Sequence, residues 1–97
     1  MGEEGEAVFT PKETGRVILW LGHRIDDINE GLLSRASRVL SREWTQISQL
    51  VPPAHRTIVT NQIVAARHAL AEHPVDAAAA IAAFREAIRI MSTDGLE

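Results

Sequence analysis

Apolar residues recur through the first half of the chain at helical spacing. Read at about 100° per residue, Ile18, Leu21, Ile25, Ile28, Leu32, Ala36, Val39, Leu40, Ile47 and Leu50 fall on one side of a single helix. The stripe keeps its phase across Gly31, which predicts one unbroken amphipathic helix over residues 10–50. Its start is signposted: Thr10 caps, Pro11 suits the first helical position, and Glu13 completes a capping box with Thr10, while Phe9 staples onto the first turn. Its end is set by Pro52-Pro53, because Pro52 disfavours helical geometry at Val51. Three glycines weaken the helix, each by up to about 1 kcal/mol relative to alanine. Gly22 lies on the apolar face and reads as a point of close helix approach, whereas Gly31 is the one place for a break.

Two shorter helices follow. The first runs from about Ala54 to Glu72 with a narrow stripe of Val59, Ile63, Ala66 and Leu70, extended by His55 and His73 and closed by Pro74. Asp76 caps the second, roughly Ala77 to Met91, where Ala77, Ile81, Phe84, Ile88 and Met91 repeat regularly. No segment alternates as a strand does. The expected fold is all-α, with one long helix of about 40 residues and a short helical hairpin. The alternative is a monomeric four-helix bundle broken at Gly31. Residues 1–9 read as a flexible acidic tail, 10–93 as one domain and 94–97 as a frayed end.

Composition narrows the classes. The 97 residues are 45% hydrophobic and 24% charged, which fits a globular chain and not a disordered one. Only four aromatics are present, two Trp and two Phe, so the core is aliphatic and rich in alanine. The absence of cysteine removes disulfides and thiolate chemistry, and with an acidic N-terminus and no long apolar run it suggests a cytoplasmic protein with no membrane role. A net charge of −3 argues against a general polyanion binder.

The charges on the long helix are sorted. Arg24, Arg35, Arg38 and Arg42 share one flank of the stripe with Trp20, whose ring lies one turn before Arg24. A row of arginines beside an aromatic suits an acidic protein surface, and these five residues are the candidate partner-binding site. A solvated helix flank explains the same pattern without any ligand. The inventory for catalysis is thin. His68 and Glu72 are one turn apart, but His73 points away from them and no metal-protease spacing exists, so neither catalytic residues, metal nor cofactor are expected. Asp26 and Asp27 are adjacent and therefore diverge by about 100°, too far to share a proton.

The segment Leu21, Ile25-Asp26, Ile28-Asn29, Leu32-Leu33 resembles the first helix of small all-helical chorismate mutases, which implies a dimer built on one long helix. Gly22 stands where that family has a basic residue, and Arg35 and Arg38 miss its spacing, so the architecture and not the activity is what the resemblance implies. Ala80-Ile81, Phe84, Ala87-Ile88 and Ile90 resemble the second helix of a tetratricopeptide repeat, without a matching helix before them. The leading expectation is a non-catalytic interaction module, an adaptor, inhibitor or regulatory subunit. A nucleic-acid-associated regulator using Arg24, Arg35, Arg38 and Arg42 stands second, and a small helical enzyme third.

Length adds an expectation of self-association. A helix of about 40 residues spans roughly 60 Å, and helices of about 19 and 15 residues span only roughly 28 and 22 Å. The uncovered half would expose an apolar row, which a second copy would cover. Ile25, Ile28, Leu32, Leu33, Ala36, Val39 and Leu40 are the expected interface of an antiparallel homodimer, with Leu32 and Leu33 near its two-fold axis.

Overall fold

The apolar stripe of residues 18–50 is folded back on itself at Gly31. A computed structural model describes the backbone of residues 11–96 and the side chains of residues 12–92. Among them are four helices: α1 (Pro11–Asn29), α2 (Leu33–Ser48), α3 (Pro53–Ala71) and α4 (Ala77–Leu96). The all-α expectation holds, but the single long helix does not, and with it goes the three-helix count. The chorismate-mutase-like layout, which needs that helix, is absent as well. Phe9, Thr10 and the tail over residues 1–9 lie outside the described residues.

Gly31 ends α1 in a Schellman motif. Its φ is +81°, the left-handed region that only glycine enters cheaply. The Leu32 N–H donates to the Asp27 carbonyl at 2.8 Å, and the Gly31 N–H donates to the Ile28 carbonyl at 3.0 Å. These bonds satisfy carbonyls that the end of α1 would otherwise leave open. Replacing Gly31 with alanine is therefore expected to cost about 1 kcal/mol in denaturant unfolding, because Cβ is strained at positive φ. Gly22→Ala is expected to stabilise by up to about 1 kcal/mol. Within the monomer Gly22 is not the site of close helix approach that its place on the stripe suggested: among the described residues a Cβ there would meet nothing within 4 Å. Equal losses at the two glycines would contradict this account.

Short connections set the topology. Three residues join α1 to α2, four join α2 to α3 and five join α3 to α4, so each helix lies antiparallel beside the next. The register shows in the contacts: Asp27 meets Arg35 near the first turn, and Trp20 meets Glu43 and Trp44 further along. The bundle closes by packing α1 against α4, while among the described residues the backbones of the diagonal pairs stay apart.

The later helices form for the reasons their sequences suggest. Pro53 occupies the first turn of α3, and Arg56, one turn in, donates Nη2 to the Val51 carbonyl at 2.9 Å. Asp76 caps α4, its Oδ1 accepting from the Ala79 N–H at 3.1 Å. The helix then continues through Gly95 to Leu96, beyond the end at Met91 that its stripe marked and through part of the stretch expected to fray. Its buried side is rotated toward its alanines: Ala80, Ala83 and Ala87 are buried with Phe84 and Met91, whereas Ile81 and Ile88 are half-buried. Small side chains let α4 lie close to both α1 and α3 at once. Leu21, Leu40, Ile63, Val17, Val51 and Val59 are the other large side chains that are fully buried.

Candidate partner-binding surface

Among the described residues, the α1–α2 hairpin holds the two buried charged side chains of the fold, Arg24 and Asp27. Arg24 projects inward from α1 and is only 8% exposed. Its Nε donates to Asp27 Oδ2 at 3.1 Å, one helical turn along, and its guanidinium carbon sits 5.2 Å from the centre of the Trp20 ring. The other Asp27 oxygen lies 3.8 Å from Arg35 Nε across the turn. Trp20 is buried too; its ring N–H donates to Glu43 Oε1 at 2.8 Å, and the ring tilts against Trp44 with centroids 6.1 Å apart.

Trp20 and Arg24 are thus members of the interior, not of the exposed flank on which the sequence places them. The single flank divides at Gly31. Arg24 stays in α1 with a carboxylate partner, and Arg35, Arg38 and Arg42 go to α2, where all three are exposed. Their spacing of three and four residues aligns them in one row down the outer side of α2. Arg38 stands at the lip of a 350 Å³ groove between α2 and α3, lined by Leu33, Ser37, Ser41 and Leu70. Glu43 is the one acid on α2, and its carboxylate is turned to Trp20.

The residues expected at a dimer interface are placed differently from one another. Ile25, Ile28, Ala36 and Leu40 are buried within the bundle itself, Leu33 and Val39 are half-buried, and Leu32 is 40% exposed. The length mismatch that called for a second copy on this stripe is gone, since α1 and α2 cover each other's apolar faces.

Among the described residues, no three His, Asp or Glu side chains gather as a metal site. His68 and His73 are exposed, so His73 does not extend the buried stripe of α3. Among the same residues, no helix is long and apolar enough to cross a membrane. On α4, the carboxyl of Glu86 is held below its ordinary value by the hydrogen bond from Arg89.

Three members of the Trp20–Arg24 cluster are not marked by the sequence pattern. Asp27 carries a local signal, being one turn after Arg24. Glu43 and Trp44 had none, because their contacts to Trp20 exist only once the chain reverses at Gly31. Leu19 was legible: it is out of phase with the stripe and is 62% exposed, the most exposed of the large hydrophobic residues. It borders a 270 Å³ groove with Trp20, Ile47 and Leu50, rimmed by Arg16 and His23. Comparison of the chain with known protein families, with characterised proteins and with solved structures finds no match.

Proposed function

We propose that this protein is a non-catalytic interaction module that docks an acidic segment of a protein partner on the outer face of α2. The observation that carries this reading is the row Arg35, Arg38 and Arg42, exposed together on a helix whose only acid is engaged elsewhere. Arg38 and Arg42 make no ion pair among the described residues, so their donors are available to carboxylates. The guanidinium fork favours carboxylates presented in pairs, as on an acidic helix. Arg35 contributes charge to the row while it remains near Asp27.

The test is a pair of titrations. A synthetic glutamate-rich amphipathic peptide is expected to bind the protein, and Arg38→Glu/Arg42→Glu is expected to weaken that binding at least tenfold, which is about 1.4 kcal/mol. The same double substitution should change unfolding free energy by no more than about 0.5 kcal/mol, because both side chains are exposed. Arg35 is left in place so that Asp27 does not acquire a repulsive neighbour. Unchanged peptide affinity in the variant would refute the α2 row as the site. Tighter binding of duplex DNA, with log affinity falling by roughly 0.9 per log unit of salt for each phosphate contacted, would replace the reading with a nucleic-acid one.

A further inference from the structure

We propose that the outer face of α1 pairs with the same face of a second copy of this chain, antiparallel, across a two-fold axis at Leu19. This face lies away from the core and is separate from the arginine row of α2. It carries Lys12, Gly15, Arg16, Leu19, Gly22, His23 and Asp26, spaced at three and four residues. Lys12, Arg16, His23 and Asp26 are exposed, and none makes an ion pair among the described residues.

The face is complementary to itself in one orientation. Setting Leu19 against Leu19 of an antiparallel copy places Lys12 opposite Asp26, twice by symmetry, and Gly15 opposite His23. Arg16 falls opposite Gly22, within a helical turn of the other copy's Asp26. A parallel pair would instead oppose Lys12 to Lys12 and Arg16 to Arg16. Charge therefore selects both the partner and its direction.

The glycines supply an independent argument. Gly15 and Gly22 flank Leu19 on the same side of α1, four residues before it and three after. Neither has positive φ, and an added Cβ at either would meet nothing within 4 Å. Among the described residues nothing requires a glycine at these positions, and each weakens the helix. Small residues on both sides of an exposed leucine let two helix backbones approach closely. The groove beside Leu19, walled by Trp20, Ile47 and Leu50, leaves room for the leucine of the second copy. An apolar side chain exposed to this extent is then covered.

Sedimentation equilibrium at micromolar to submillimolar concentration is the decisive measurement. The wild type is expected at twice 10.7 kDa, and Leu19→Glu at 10.7 kDa with unchanged helicity. Lys12→Glu/Arg16→Glu and Asp26→Lys are each expected to dissociate, and an equimolar mixture of the two to recover a dimer. The chain has no cysteine, so orientation can be read from single substitutions. Leu19→Cys should cross-link to itself on mild oxidation, and Lys12→Cys should not, because its two copies lie about 21 Å apart along the helices. A wild type that stays monomeric overturns the proposal, as does a dimer that survives Leu19→Glu or cross-links through Lys12→Cys. Arg38→Glu/Arg42→Glu leaves the dimer intact, so this proposal and the acidic-partner reading fail separately.

Discussion

Replacing Asp27 with alanine is expected to destabilise the protein by about 3–5 kcal/mol, although the residue sits on no apolar stripe. The reason is the group left behind. Arg24 is 8% exposed, and without Asp27 its guanidinium keeps only the face of Trp20 in a poorly solvated place. Breaking a buried pair by removing one partner costs far more than the pair itself contributes, because the remaining charge loses both water and counter-ion. Arg24→Met/Asp27→Leu removes both charges, and is expected to recover most of the loss. Urea unfolding of the three proteins makes the comparison. A loss below about 1 kcal/mol in Asp27→Ala would mean that Arg24 reaches water and that the pair is not part of the interior.

Phe84→Ala is expected to cost a similar amount, about 3–5 kcal/mol, by a different mechanism. Phe84 is the largest fully buried side chain and lies on α4, the helix that packs on both α1 and α3. Its removal leaves a cavity beside a helix whose other buried side chains are three alanines and Met91. Against a total stability of about 5–15 kcal/mol for a domain of this size, the variant would be largely unfolded near physiological temperature if the total lies at the low end. Thermal unfolding followed by circular dichroism measures the shift. Leu19→Ala in the same experiment, run at concentrations where the chain is monomeric, should move the midpoint little, since its side chain is already in solvent.

Much of the fold was legible because the punctuation is local. Pro52-Pro53, Pro74 and Asp76 each act on their own backbone neighbours, so they mark the bounds of α3 and the start of α4 without reference to tertiary contacts. Gly31 was harder. Two antiparallel helices whose apolar sides face one core can preserve the phase of a continuous stripe, so periodicity does not reveal the reversal. A start signal for α2 would have revealed it, but Leu32 precedes that helix and makes no side-chain cap. A continuous helix would leave an apolar surface uncovered; with the reversal the bundle itself buries Ile25, Ile28, Ala36 and Leu40 of the expected interface, while Leu32 stays 40% exposed. The arginine row was partly legible. Arg35, Arg38 and Arg42 share one helix and kept their relation, whereas Arg24 lay beyond the turn and was lost from the row.

The pairing of Trp20 with Trp44 has a spectroscopic consequence. These are the only tryptophans, and the chain contains no tyrosine, so emission excited at wavelengths that phenylalanine does not absorb arises wholly from the α1–α2 hairpin. The far-ultraviolet helical signal is summed over all four helices. The two signals therefore observe different portions of the same molecule, and their unfolding curves coincide only when the hairpin and the α3–α4 pair come apart together. An emission change that precedes the loss of ellipticity would identify the tryptophan-bearing half as the first to open.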